Sequence, residues 1–510
     1  MLRMSIAPGD NGGTVDLLVI GGGVNGCGIA RDAAGRGFRV VLVEQDDLAA
    51  HTSSCSTKLI HGGLRYLEQL HIGLVRKALL EREVLLASAP HIMWPLRFIV
   101  PHNAHLRPAW MIRAGLYLYD HLARRRLLAA SASIDLTRHV AGAALAAQYR
   151  RGFIYSDVWV DDARLVALTA LDAAERGARI VTRTRCERIE RSGAGWSATL
   201  VDRAGARSRI GARAIVNATG PWVSRFLSDS TPLTSRRRVR LVRGSHIVVP
   251  QIFQHRFAYL FQGADRRVIF ALPYERAFTL IGTTDIEHHD DPRRVAISAA
   301  ETDYLCAVPN QYFRRAISRA DVIWAYSGVR PLLDDESSDP AAVTRDYLLD
   351  LESPDAPFLS VFGGKITTFR KLAEDAVDRL STALGRATRA WTKSAHLPGG
   401  DLTAGHFAVF LRVLDRRYPW LPQVLRWRYA RAYGTRIERL LDGAMSLAQL
   451  GEEVLPGLYE REIEYLRRTE WAVSAEDILW RRTKLGLHLP GDAEARLQAW
   501  LERLAVEAAL

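Results

Sequence analysis

At 510 residues the chain is longer than one ordinary core supports, so two or three domains are expected. The apolar fraction of 48% and the charged fraction of 25% are those of a globular protein. The net charge of +13 leaves three partner classes (nucleic acid, an anionic substrate, an anionic membrane surface), and no stretch has the form of a nucleic-acid motif. The four cysteines, Cys27, Cys55, Cys186 and Cys306, have neither metal-ligand spacing nor a disulfide pattern, so no metal is expected. Residues 1–14 read as a frayed tail and not as a signal peptide. No apolar run reaches the roughly 18 residues that a membrane span needs.

The stretch from Asp16 to Glu44 carries the first chemistry. A buried strand (Leu17 to Ile20) runs into Gly21, Gly23 and Gly26, then a helix, then a second buried strand (Val40 to Val43) ending in Glu44. Gly21 permits the tight turn, Gly23 lets a pyrophosphate approach the backbone, and Gly26 lets the helix pack closely on the sheet. The helix N-terminus offers N–H groups to phosphates, and Glu44 can accept from a ribose diol. Ser53, Ser54, Ser56 and Thr57 follow as a hydroxyl-rich loop able to donate to phosphates or to a flavin ring edge. Gly62 and Gly63 permit close backbone approach, with Arg65 and Tyr66 next.

Apolar spacing predicts a helix from Ile72 to Leu86, and Pro90, Pro95, Pro101 and Pro108 then break the chain into short pieces. His105 to Leu128 is amphipathic and mixes Trp110, Met111, Leu116, Tyr117 and Tyr119 with Arg113 and Arg124 to Arg126. It suits a membrane-interface helix or, equally, a core-facing helix with a basic end. Asp161 and Asp162 cap a helix beginning near Ala163, and RIVTRTRCERIE reads as one strand. A buried strand from Ala214 to Asn217 leads into Ala218-Thr219-Gly220, a second contact near a cofactor that moves the reading from NAD to FAD.

Arg236, Arg237, Arg238, Arg240 and Arg243 precede a strand bearing His246. RRVIFALPYER and FTLIGTTDIE read as neighbouring antiparallel strands, with Thr283, Thr284 and Asp285 at the end of one. Thr302 to Ala316 reads as helix, and FLSVFGGKITTFRKLAEDAVDRL as a strand, a Gly-Gly turn and a long helix opening near Thr367. Pro398-Gly399-Gly400 marks a linker, and residues 401–510 read as a separate helical unit, basic and aromatic in VFLRVLDRRYPWLPQVLRWRYARAYG.

Taken together, IGGGVNGCGIARDAAGRG, TSSCSTKLIHGGLRYLE, VNATGPWV, RGSHIVVP, IGTTDIE, YSGVRPL, TRDY, FGGKITTFRKLAE and LWRRTKLGL resemble the FAD-dependent, respiratory glycerol-3-phosphate dehydrogenases from about residue 14 to the C-terminus. The resemblance implies an α/β plus α fold: a Rossmann-like FAD domain of D-amino-acid-oxidase type, an antiparallel-sheet substrate domain and a helical C-terminal domain. FAD-domain segments are expected at about 15–70, 150–235 and 335–395, substrate-domain segments at about 71–149 and 236–334, and the helical domain at 396–510. Within the motifs, Gly21, Gly23, Asn25, Gly26, Glu44, Ser53, Ser54, Ser56, Lys58, His61, Gly62, Gly63, Leu64, Ala218, Gly220, Gly364, Lys365, Ile366 and Thr367 are the implied FAD-binding residues.

The implied substrate is glycerol 3-phosphate. Its dianion calls for rigid, permanently charged donors, which Arg330 and Arg345 supply, and matching positions in the family bind phosphate. The alternative for both is structural ion pairing with Asp334, Asp335, Glu336 or Asp346. Loss of the hydroxyl proton needs a base, and His246 is the candidate. Arg65 and Tyr66 are assigned to the glycerol hydroxyls or to helping the base, Thr283 and Thr284 to substrate or flavin, and Lys365 to the flavin pyrimidine edge. The family further implies a membrane quinone as acceptor, peripheral binding to the cytoplasmic face of an anionic inner membrane, and a homodimer. Competing readings are a soluble oxidase that makes hydrogen peroxide from the same substrate, another amine- or hydroxyacid-oxidising flavoprotein, and a non-catalytic nucleotide-binding protein.

Overall fold

A computed structural model describes residues 13–67, 71–103, 107–234, 237–333, 346–352, 355–402 and 405–507, without the side chains of residues 65, 505 and 507. Val15–Ile20 is all but fully buried, and its run Leu17, Leu18, Val19, Ile20 is apolar throughout, which suits a strand covered on both faces. It lies inside a sheet ordered Tyr347–Glu352, Phe358–Gly363, Arg207–Asn217, Val15–Ile20, Val40–Val43 and Arg179–Val181. All neighbours run parallel except the first, antiparallel pair. The hairpin Thr184–Ser192 and Gly195–Asp202 extends Arg207–Asn217 on its other half. The predicted single strand RIVTRTRCERIE is thus two strands, parted where Arg183 takes φ +58°.

The helix Val24–Gly35 packs between Asp162–Glu175 and Phe369–Ala383 on one face of this sheet. Gly28 is what lets it approach: a Cβ there would stand 2.9 Å from Phe369 Cδ2. Asp161 caps Asp162–Glu175 by accepting from the Arg164 N–H, as expected.

The second sheet runs Ile286–Glu287, Val239–Pro250, Phe278–Gly282, Val268–Tyr274, Ala258–Gln262, Met93–His102, Arg151–Val160 and Leu59–Ile60. Trp324–Leu333 pairs with Val239–Pro250 from Val239 to Val248. The two sheets divide the chain differently from the expected segments, because Leu59–Ile60 and Arg151–Val160 belong to the second. The helix expected over Thr302 to Ala316 is Ala299–Asn310. Ser298 and Glu301 form a capping box that starts it early, and Pro309 sits in its last turn.

Residues 405–507 are mainly helical, with their own apolar core around Phe410, Leu414, Tyr429, Ile463 and Leu497. Most of the basic, aromatic stretch is therefore a packed cap. Its Trp427 and Phe407 flank the Arg431 guanidinium. The expected linker is a packed joint: Cβ atoms on Gly399 and Gly400 would each stand 2.2 Å from a carbonyl oxygen, of Tyr433 and Ser88 respectively. The basic amphipathic segment contains the helix Ala109–His121, which buries Leu116, Tyr119 and Asp120 and leaves Trp110 71% and Tyr117 58% exposed. No helix among the described residues is long and apolar enough to cross a membrane.

Candidate active site

A cavity of about 660 Å³ opens between the two sheets. One wall is the crevice at the carboxyl ends of the parallel strands, where open α/β sheets bind ligands. The opposite wall carries Gly244, His246, Thr283 and Arg330 of the second sheet.

The nucleotide wall has the expected glycine chemistry. Gly21 takes φ +112°, and a Cβ there would be 2.4 Å from the Ala218 carbonyl oxygen. Gly26 lies behind the wall, where a Cβ would be 1.9 Å from the Gly21 oxygen, so it sets how closely the helix meets the turn. Gly23 is the N-cap facing the cavity. Ser53 Oγ accepts from the Val24 N–H at 3.0 Å. Glu44 accepts from the Gly22 N–H at 2.6 Å and the Asp46 N–H at 2.9 Å. Burial raises its pKa even so. Each of its oxygens keeps a second lone pair for a ribose hydroxyl. Asn25 Nδ2 donates to the Gly363 carbonyl, while its Oδ1 is buried without a partner among the described residues. An orphaned acceptor beside a helix N-terminus, on a wall cleared by glycines, fits a dinucleotide's polar groups. Ser56, His61, Ala218, Gly220, Gly364, Lys365, Ile366 and Thr367 complete the expected residues on the wall.

Five expected cofactor residues have other partners. The Ser54 hydroxyl donates to the His51 carbonyl. Lys58 is buried, with Nζ 2.8 Å from Asp162 Oδ1 and 3.0 Å from the Ser54 oxygen. The Gly62 N–H donates to the Tyr119 hydroxyl at 2.8 Å. The close approaches that Gly62 and Gly63 permit are by protein, namely the Leu79 and Tyr119 side chains at Gly62 and the Tyr66 ring at Gly63. Leu64 packs on the apolar core beneath. Sequence could not separate these from true wall residues, because motif spacing does not say which face a loop residue turns inward.

At the far wall, His246 is only 2% exposed. Its ring stacks on Tyr326 at 4.8 Å and 13°, and its Nε2 lies 2.9 Å from Thr57 Oγ1. Burial, with the positive charges of Lys58 and Arg330, holds the imidazole well below its ordinary pKa. Arg330 places Nη1 2.7 Å from Asp285 Oδ1 and donates from Nη2 to the Thr284 carbonyl at 2.8 Å. Two strand glycines clear these side chains. A Cβ on Gly282 would be 2.0 Å from His246 Cδ2, and one on Gly244 2.0 Å from Arg330 Nη2.

Thr283 and Tyr66 line the cavity, and Lys365 Nζ stands 4.0 Å above the Tyr66 ring. Thr284 does not: it is buried, accepts from the Ser245 N–H and donates to Glu301. Arg345 and the side chain of Arg65 lie outside the described residues, as do Asp334, Asp335 and Glu336. The sequence reading missed Asp285 as the partner of Arg330 and Thr57 as the partner of His246. Thr57 carried a signal, its place in the hydroxyl-rich loop, but nothing local tied it to His246.

Comparison with known proteins fits this geometry. A family model described as FAD dependent oxidoreductase matches residues 16–370, and one described as the C-terminal domain of alpha-glycerophosphate oxidase matches residues 390–509. The glycerol-3-phosphate dehydrogenase of Pseudomonas aeruginosa is 54% identical over 489 residues, covering 96% of this chain and 95% of that protein. The D-erythritol 1-phosphate dehydrogenase of Brucella abortus is 50% identical over 491 residues, covering 96% and 98%. The solved glycerol-3-phosphate dehydrogenase from Bacillus halodurans, complexed with FAD, superposes with a TM-score of 0.78 at 27% identity, over 96% of this chain and 91% of that one. With these matches spanning both units of the chain, it belongs to the FAD-dependent glycerol-3-phosphate dehydrogenase family.

Proposed function

We propose that the protein oxidises sn-glycerol 3-phosphate to dihydroxyacetone phosphate and passes the electrons to a membrane quinone. The observation that carries this reading is one cavity joining a dinucleotide wall to a wall holding a buried histidine and an oriented arginine. FAD, when bound, accepts the hydride from the carbinol carbon. Arg330, held by Asp285, receives the substrate phosphate together with Arg345. His246 takes up the hydroxyl proton. Tyr66, Thr283 and Arg65 orient the glycerol hydroxyls, and Lys365 sets a positive charge on the cavity wall.

Anaerobic mixing of the purified protein with sn-glycerol 3-phosphate tests the reading. The flavin should bleach and recover on adding a quinone analogue, and a flavin that stays oxidised would reject the substrate. The Brucella abortus relative supports a second substrate, D-erythritol 1-phosphate, since that protein is 50% identical to this chain and is a D-erythritol 1-phosphate dehydrogenase. Running both compounds in the same assay decides between three and four carbons.

Membrane docking is part of the proposal. The helix Ala109–His121 presents Trp110, Met111, Tyr117 and Leu118 beside Arg113 and the Arg124 to Arg126 run, the mixture that inserts at an anionic interface. Co-sedimentation with anionic vesicles at low salt should show binding that falls roughly tenfold or more in Trp110→Glu combined with Tyr117→Glu. Equal binding by the variant would place the membrane contact elsewhere.

A further inference from the structure

Resting on the alcohol oxidation proposed above, we propose that the Thr57 hydroxyl carries the proton between the substrate's carbinol oxygen and His246 Nε2. The base itself is almost wholly buried at the cavity wall. His246 has the Tyr326 ring stacked on one side, and the Gly282 backbone approaches so closely on another that a Cβ there would overlap the imidazole. Nδ1 is buried and finds no partner among the described residues, whereas Nε2 lies 2.9 Å from Thr57 Oγ1. Both residues line the cavity, but Thr57 is half-buried where His246 is almost wholly buried. Among the described residues, the hydrogen-bond contact of the ring nitrogens is with this hydroxyl.

Its neighbours hold it rigidly. Ser56 donates from both its N–H and its hydroxyl to Asp162 Oδ2, at 3.1 and 2.8 Å. The Tyr326 hydroxyl donates to the Ser56 carbonyl at 2.8 Å, so the residue stacked on His246 also fixes the loop before Thr57. Lys58, next in the chain, is pinned by the same Asp162. A relay needs this preorganisation, since a donor displaced by an ångström loses most of its effect.

The proton balance is simple. The carbinol O–H bond breaks as a new bond to Thr57 Oγ1 forms, and the original Thr57 O–H bond breaks as Nε2–H forms. Thr57 ends as a hydroxyl and His246 as an imidazolium, and the hydride with its electron pair goes to FAD as above. A relay also fixes the resting tautomer: Thr57 donates, Nε2 accepts, and the ring proton is on Nδ1.

Two measurements test it. In anaerobic stopped flow with sn-glycerol 3-phosphate, Thr57→Val should slow flavin bleaching roughly 10²-fold or more, while Thr57→Ser, which keeps the hydroxyl, should restore most of the rate. In apoprotein labelled with ¹⁵N-histidine, the His246 resonances, identified by their loss in His246→Gln, should show an unprotonated Nε2. Wild-type bleaching that Thr57→Val leaves unchanged, or an Nε2 that carries the proton, overturns the relay and leaves the proposed function standing. A wild-type flavin that is never bleached overturns both.

Discussion

Replacing His246 with glutamine is expected to lower the rate of flavin reduction by roughly 10²- to 10⁴-fold, the usual worth of a positioned base. Glutamine fills similar space and can still hydrogen-bond to Thr57, so the loss would report basicity and not packing. The environment of His246 makes the effect depend on substrate. In the free protein, burial together with Lys58 and Arg330 disfavours the imidazolium. A phosphate dianion at Arg330 would offset one of those charges and raise the imidazole pKa as the substrate arrives. The base would then be weak in the empty site and competent in the filled one. Stopped-flow bleaching of wild type and variant at saturating substrate checks the prediction, and rates within threefold of each other would remove His246 as the base.

The second large effect is expected at Asp47, three residues beyond Glu44. Asp47 Oδ2 lies 2.7 Å from Arg481 Nε and 2.9 Å from Arg482 Nη1, and its Oδ1 lies 2.8 Å from Arg482 Nη2 and 3.3 Å from Arg183 Nη1. Arg183 also pairs with Asp477, and Arg164 with Glu470, so buried charges tie the nucleotide-binding sheet to the π-helical turn Asp477–Arg482. Burial alone would raise the Asp477 pKa, yet Arg183, Arg482 and Arg481 hold it well below the ordinary carboxylate range. Removing one partner of such a set leaves uncompensated buried cations, which costs about 3–5 kcal/mol. Asp47→Asn is therefore expected to lower the urea midpoint sharply. Because Asp47 sits on the loop that follows Glu44, the same variant should also release FAD more readily, read as recovered flavin fluorescence on dilution. Unchanged unfolding and unchanged retention would mean that the helical unit docks independently of the cluster.

Much of the architecture was legible in the sequence because its causes are local. The run of Leu17 to Ile20 into Gly21, Gly23 and Gly26 can hardly be anything but strand, turn and helix. Asp161 announces its helix by a side chain that bonds to backbone three residues on. The two-sheet architecture and the helical C-terminal unit came instead from the family resemblance that the motifs carry together. The break at Arg183 was hidden for the opposite reason: what stabilises that residue is a pair of carboxylates, Asp47 and Asp477, distant in the chain.

The site divides along the same line. The sequence, through its glycine motif and its family resemblance, singled out Asn25, Glu44, Ser53 and Thr367 and, for the other wall, His246 and Arg330, and all six line the cavity. Only the tertiary structure decided what each polar group in those segments meets. Lys58 turned away to Asp162, Gly62 to Tyr119 and Thr284 to Glu301, while Thr57 turned to a histidine 189 residues further along. Burial presses most polar groups to find a partner, and that partner is chosen by which strands and loops the fold brings within about 3 Å, a distance that no local pattern encodes.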